Sequence, residues 1–288
     1  MGRVRLTEIA DRVWVGRYPW FDVNVAVVGG RDGLVVVDTY ASEASARTVV
    51  DEVRALGAGA VRAVVNTHEH FDHVLGNHAF RQAFRPAGGE LPIHAHEEAA
   101  ARTAAAVRAV QDSPGHEDDP DWADLRATTV VPADHPFSSA AAIDLGDRVV
   151  ELVHPGRGHT GGDLVVRIGD ADVLLAGDLV EESGPPALGD DSFPMDWPAT
   201  LDLVLGLTTA DTVVVPGHGA PVDRRFVEDQ RDLLGTVAET IRDLATRGVP
   251  EADALGAAAW PLPAEALADA VRRGYAQLPA VRRTLPMA

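Results

Sequence analysis

The sequence predicts a layered α/β protein, with sheets inside and helices outside. Three observations carry that expectation. Short valine-rich runs recur along the first three quarters of the 288 residues, stretches with helical apolar spacing stand between them, and the Gly-Gly-Arg-Asp-Gly stretch at 29–33 marks a turn between two of the runs. The chain therefore opens as antiparallel sheet.

In order, the runs at 23–28 and 34–37 are β-branched and too short for helices, so they read as strands. Ser42 caps a helix that ends at Leu56, with Ala46, Val49, Val50, Val53 and Leu56 on one face and Gly57 as its stop. A strand at 61–65 and an alanine-rich helix at 97–110 follow, then strands at 149–153, 164–168, 173–176 and 213–215. Phe226, Val227, Leu233, Leu234, Val237, Ile241 and Leu244 recur at helical spacing within 223–247, and 263–278 supplies a last helix. Segments 112–124 and 183–198 read as long loops. Neither has the composition of a linker, so one domain is expected over 1–288, with a core of about 4–222 and C-terminal helices in 223–288.

Composition narrows the function classes. An apolar content of 46% suffices for a full core. Against 25 basic side chains stand 44 acidic ones, a formal charge of −19 that repels phosphate backbones and argues against a nucleic-acid partner. The absence of cysteine excludes disulfides, thiol nucleophiles and thiolate-ligated metals. No stretch approaches the ~18 apolar residues of a membrane span. The amino terminus alternates apolar and polar residues and lacks the apolar block of a secretory signal, so a soluble, cytoplasmic protein is expected.

The strongest local signal is His68-Glu69-His70-Phe71-Asp72-His73, directly after a strand. His68 and His70, at i and i+2, point the same way in extended chain and can share one ion, while the turn beyond them swings Asp72 and His73 toward a second. Three more polar residues follow apolar strands: His159 in a glycine-rich turn, Asp178 after Ala176-Gly177, and His218 in Pro216-Gly217-His218-Gly219. That edge is where open α/β sheets place their sites. His78, His94, His96, His116, His135 and His154 are read as structural or solvent-facing.

Together, over about 13–219, these motifs resemble the metallo-β-lactamase-fold superfamily of metal-dependent hydrolases. The resemblance implies an αββα sandwich of two mixed sheets with helices outside and metals at one end. It implies that His68, His70 and His159 hold one divalent ion, that Asp72, His73 and His218 hold another, and that Asp178 bridges them. Zinc is the first expectation, and the all N/O ligand set also accepts iron or manganese. The implied activity is hydrolysis of a small ester, thioester, lactone or lactam by a metal-bridging hydroxide, with Asp72 handling its proton. Many true β-lactamases of this fold carry cysteine or serine where Asp178 stands, which places antibiotic hydrolysis second. Asp38 resembles the aspartate that orients the histidine loop, and Asp163 either braces the His159 turn or starts the next strand.

The small-molecule substrate is expected to meet Tyr18, Trp20 and Phe21 in the early hairpin, or Phe193 and Trp197 in the insertion after Asp178. Arginine pairs at 272–273 and 282–283 either close the pocket or form a homo-oligomer surface; no membrane partner is expected. A different chemistry on the same fold is a mononuclear iron oxygenase resembling persulfide dioxygenases, with His68, His159 and Asp178 as its triad.

Overall fold

A computed structural model describes residues 6–86 and 89–279, so the expected start of the core at 4 and the arginine pair at 282–283 lie outside the described residues. The chain opens with β1 (Thr7–Ala10), β2 (Val13–Tyr18), β3 (Val23–Gly30) and β4 (Gly33–Val37), then α1 (Glu43–Leu56) and β5 (Val61–Val65). Two short helices follow, α2 (Phe71–Val74) and α3 (Asn77–Ala83), before β6 (Ile93–His96), α4 (Glu97–Gln111) and α5 (Pro120–Ala127). The second half contains β7 (His135–Phe137), β8 (Ala140–Asp144), β9 (Val149–Val153), β10 (Val165–Ile168) and β11 (Val173–Glu181). It ends with α6 (Trp197–Gly206), β12 (Val213–His218), α7 (Arg224–Thr246), α8 (Glu251–Ala254) and α9 (Ala268–Gln277).

Alternation along the strands builds the layers. In one half of the sheet, Val25, Val27, Leu34, Val36 and Val64 bury against Val49, Val53 and Phe80 of α1 and α3. Their neighbours Ala26, Val28, Val35, Val37 and Val65 point the other way, onto Val150, Leu152, Val166, Ile168 and Leu175 of the second half. The outer face of that second half, with Val165, Leu174, Ala176 and Val214, meets Leu201 of α6, Leu234 and Ile241 of α7 and Val271 of α9. The order helix, sheet, sheet, helix is the expected αββα sandwich.

The two sheets are not separate. Strand order runs β7-β6-β5-β4-β3-β12-β11-β10-β9-β8, with β2 also on β3 and β1 on β2. The join between halves is a single residue pair, Val23 with His218. β4 to β7 run parallel, as do β11 and β12, whereas β8 to β11 and β2 to β4 are antiparallel.

Local chemistry explains most boundaries. Ser42 and Ser45 form a reciprocal capping box at α1, and Gly57 ends it at φ 60 in the left-handed region. The segment 112–124 is not wholly loop: the Asp119 carboxylate caps α5 and Pro120 fills its first turn, where a missing N–H costs nothing. α6 begins at Trp197 for the same reason, with Pro198 in its first turn. β11 extends beyond Ala176 to Glu181, all nine residues buried. Among the described residues no helix is long and apolar enough to cross a membrane.

At the end of the sandwich opposite His218, the buried Arg148 ties both halves together. Its Nη1 donates to the carbonyls of Asp11 (2.7 Å) and Gly29 (3.0 Å), and its Nη2 to Asp170 (2.8 Å). Replacing Arg148 by Met strands those carbonyls, and we expect urea denaturation to show a loss of about 2–4 kcal/mol. A loss under about 0.5 kcal/mol would show that the tie carries no stability.

Candidate metal centre

The centre forms where the two halves of the sheet join. β5 ends at Val65, and the turn after it presents His68 and His70 before α2 carries Asp72 and His73. Asp38, at φ 62 beyond β4, holds that turn. Its Oδ1 accepts the Thr67 N–H (2.8 Å), and its Oδ2 accepts the Thr67 hydroxyl (2.8 Å) and His73 Nδ1–H (2.8 Å). Since the Thr67 proton goes to Asp38, its oxygen is left to accept from His68 Nδ1, 3.0 Å away.

The other strands contribute from the opposite half. His159 sits in a turn braced by Asp163, whose carboxylate accepts the N–H groups of Gly158 (3.0 Å) and Thr160 (2.9 Å) and the Thr160 hydroxyl (2.7 Å). Asp178 lies inside β11, not after it as the sequence suggested. Gly177, at φ 53, interrupts the β11–β12 register and re-aims the carboxylate toward the centre. On β12, Gly217 lies so close to Asp178 that a Cβ there would overlap its carboxylate.

Every imidazole has its outward nitrogen taken. His70 Nε2 donates to Asp191 Oδ2 (2.9 Å), His159 Nδ1 to the Ala187 carbonyl (3.0 Å) and His218 Nδ1 to the Phe21 carbonyl (2.7 Å). Carbonyls and carboxylates only accept, so each ring carries its proton outward and turns its other nitrogen inward.

The inward atoms converge. One ligand atom each from His68, His70, His159 and Asp178 lies within 4.8 Å of the others, as does one each from Asp72, His73 and His218. His159 Nε2 and His68 Nε2 stand 3.4 and 3.6 Å from Asp178 Oδ2, and His73 Nε2 stands 3.2 Å from Asp178 Oδ1. His218 Nε2 is 3.2 Å from Asp178 Oδ2 and 3.5 Å from Asp72 Oδ2. Two donors bonded at ~2.0–2.1 Å to one tetrahedral cation lie about 3.3–3.4 Å apart, so side chains at these separations would be able to share a cation. His68 Nε2 and Asp178 Oδ1 are buried with no hydrogen-bond partner, an arrangement that costs free energy unless a cation meets them. This donor set fits divalent metal.

Electrostatics agree. Burial drives His68 well below the usual imidazole range and His159 down to about 4, and neighbouring imidazoles add to both. Burial also opposes charge on His73 and His218, yet Asp178 and Asp72 outweigh it, holding His73 well above its usual value and His218 at about 10. Asp178, though buried, is held well below its usual range by His218, His73 and His68. Burial is likewise outweighed at His70, which Asp191, Asp72 and Asp178 hold at about 9, so without metal the carboxylates draw protons onto three of the rings and the centre is organised around positive charge.

Two expected substrate contacts are corrected. Tyr18 (2% exposed) is core, donating to Glu52 (2.9 Å), and Trp197 (0% exposed) is fixed behind His159 by its indole N–H on the Leu179 carbonyl (3.2 Å). Both rings pack too well to face a ligand. Trp20 and Phe21 remain beside the centre, the Phe21 ring 5.0 Å from Phe71 and Trp20 6.4 Å from Trp122. Phe193 lies between the guanidinium groups of Arg157 (4.4 Å) and Arg273 (4.8 Å). His96 and His154 stack on each other at 3.9 Å, with His96 Nε2 on the Ser138 carbonyl, outside the cluster.

Sequence reasoning missed Asp191, Glu69 and Arg102, whereas Arg273, from the pair at 272–273 expected to close the pocket or form an oligomer surface, lines the cavity. Asp191 belongs to a loop placed on the metal side, but nothing in its spacing marks which of Asp190 and Asp191 turns inward. Glu69 is fully buried between two of the histidines and pairs with Arg102 of α4 (3.2 Å). Arg102, Asp191 and Arg273 line a cavity of about 830 Å³ together with His70, His159 and His218.

Comparison with known proteins agrees with this geometry. The profile of the Metallo-beta-lactamase superfamily matches residues 18–218. A type 2 metallo-beta-lactamase of Bacillus cereus is 26% identical over 241 residues, covering 81% of this chain and 83% of that protein. A linear primary-alkylsulfatase of a Pseudomonas species is 26% identical over 242 residues, covering 75% of this chain but 45% of its own length. Among solved structures, a metallo-beta-lactamase from Pontibacter korlensis aligns with TM-score 0.62 at 22% identity, over 81% of this chain and 99% of that one. FIM-1 of Pseudomonas aeruginosa, in a mono-zinc form, aligns with TM-score 0.62 at 19% identity, over 81% and 96%. With two thirds of its length matched by that profile and its donors gathered at one end of an αββα sandwich, the chain belongs to the metallo-beta-lactamase superfamily of hydrolytic enzymes.

Proposed function

We propose that this protein is a binuclear metal-dependent hydrolase of a small ester, thioester, lactone or lactam. The carrying observation is the set of outward N–H bonds on the five histidines, which leaves an inward nitrogen on each ring before any ion arrives. His68, His70 and His159 hold one ion and Asp72, His73 and His218 the other, with Asp178 between them. Zinc is favoured by the donor separations and by the zinc in FIM-1.

Bound divalent ions supply Lewis acidity and lower the pKa of water from about 15.7 to ~7. The chain supplies the rest. Asp72, its Oδ2 3.5 Å from His218 Nε2, lines the cavity beside the centre, where a carboxylate can take the proton released as the nucleophile attacks. The matched relatives bracket the scissile bond, since one is named for a lactam and another for a sulfate ester. On this reading the C-terminal helices belong to the same domain, because Ile241 of α7 and Val271 of α9 bury in the cluster that contains Leu174 of β11 and Val214 of β12.

Asp178→Ala is expected to remove at least one ion per chain and lower ester hydrolysis by about a hundredfold or more, since several kcal/mol of charge stabilisation depend on it. Elemental analysis and a chromogenic ester assay read both, and a variant that keeps two ions and full turnover would overturn the bridging assignment. Gly217→Ala should give the same metal loss by displacing Asp178, with unchanged far-UV dichroism. Asp191→Ala should weaken metal binding by about 10–100-fold, read by chelator competition, because His70 loses the acceptor that orients it. A single iron with thiol-dependent oxygen uptake and no ester hydrolysis would replace the hydrolase by the oxygenase built on His68, His159 and Asp178.

A further inference from the structure

The cavity above the metal centre has an uneven wall. α4 lays Arg102, Ala105, Ala106, Ala109 and Val110 along it. From Arg102 to Val110 is about 12 Å at ~1.5 Å per residue, a cationic end followed by an apolar face. Arg273 of α9 lines the same cavity from another element.

Both arginines are held without being used up. The Arg102 Nε lies 3.2 Å from the buried Glu69 carboxylate and its Nη1 3.5 Å from Glu98, and among the described residues nothing further takes its Nη2. Its side chain stays 43% exposed. Arg273 donates Nε to the Ser192 carbonyl (2.8 Å) and lies over the Phe193 ring, which fixes its direction. Among the described residues it has no carboxylate partner, in a chain with 44 acidic side chains against 25 basic. The carboxylates on the wall have other partners: Asp191 is bonded to His70, Asp72 and Asp178 belong to the metal centre, and Asp190 lies in the field of Arg272. Two oriented guanidiniums with free N–H groups over an apolar face suit a planar oxyanion carrying an aliphatic chain.

We infer that Arg102 and Arg273 select substrates bearing a carboxylate, with the aliphatic part of the molecule lying on the alanine face of α4. The inference rests on the hydrolase reading for its chemistry but not for its recognition. Glu69 is the positioning residue for Arg102.

Two measurements on the full chain separate recognition from catalysis. In titration calorimetry, hexanoate should bind and hexan-1-ol should not, and Arg273→Gln and the double variant Arg102→Gln/Arg273→Gln should weaken hexanoate by at least about tenfold, the cost of losing a charge-assisted hydrogen bond. Removing Arg102 leaves Glu69 buried and unpaired, so Ala105→Glu serves as a variant that keeps that pair. One turn on from Arg102 and exposed, it supplies an internal carboxylate that should displace hexanoate to a similar extent. In assays of the metal-loaded enzyme, 4-nitrophenyl hydrogen adipate should be preferred over 4-nitrophenyl hexanoate by about tenfold or more in kcat/KM, and the variants should lose that preference through KM. Hexanoate binding that survives in all three variants, or a preference that stays within about twofold of the parent, overturns the inference. If neither ester is cleaved while hexanoate binding follows the arginines, the hydrolase reading fails and the clamp stands. If both esters are cleaved alike, the clamp fails and the hydrolase reading stands.

Discussion

Gathering five imidazoles and two carboxylates at one buried point is unfavourable unless each ring is oriented from behind, and the rest of the structure follows from that need. Burial alone pushes His68 and His159 toward neutrality, while Asp178 and Asp72 pull His73 and His218 the other way. Left to side-chain freedom, such a cluster would relieve itself by rotating rings outward into new hydrogen bonds. Thr67, Asp191, Asp38, Ala187 and Phe21 occupy those outward positions, so the inward nitrogens have nowhere else to point. Their convergence is a property of the frame rather than of the ion.

That frame draws on both halves of the sandwich, and the narrow seam between them has a consequence. Val23 pairs with His218 where β3 meets β12, and the same hairpin returns the Phe21 carbonyl to His218 Nδ1. The early hairpin is thus attached to one ligand by two adjacent contacts. A shift of the hairpin would turn the His218 ring, so the aromatic cluster of Trp20, Phe21, Phe71 and Trp122 acts as a brace on the metal centre as well as a wall near it.

The legible part of the sequence was the part set by local rules. Valine-rich strands, the Ser42 cap and the Gly57 stop appear where pattern places them, because alternation and capping are properties of neighbouring residues. β6, β7 and β8 escaped notice because they are short and carry histidine, proline or alanine in place of branched residues. Pro120 and Pro198 looked like loop residues, although a first helical turn accepts proline. The residues that meet at the centre stood out because five of the seven are histidines set in motifs near the ends of apolar strands. Asp191, Glu69 and Arg102 did not, since a carboxylate among 44 acidic side chains, or a guanidinium among 25 basic ones, acquires its role only when tertiary structure turns it toward a partner. Tyr18 and Trp197 failed in the opposite sense: an aromatic near a site in sequence is as well suited to the core, and burial decided both.

Metal chemistry and substrate choice are built from different parts of the chain. The seven converging side chains come from the turn after β5, from α2, from the turn before β10, from the interior of β11 and from the end of β12, and all fall within the 18–218 segment shared with the superfamily. The cavity wall comes from α4, from the segment between β11 and α6, and from α9, which lies beyond that segment. The Arg273 side chain can change without disturbing Asp178 or His218, because its own bonds go to Ser192 and Phe193 of the intervening loop. Ala187 and Asp191 serve both, orienting His159 and His70 while lining the wall, and Glu69 joins the two parts as well. It stands between two donors yet holds Arg102 on the wall, so the motif that positions the ions also sets the direction of one recognition side chain. A change at Glu69 therefore cannot alter selectivity alone, whereas a change at Arg273 can.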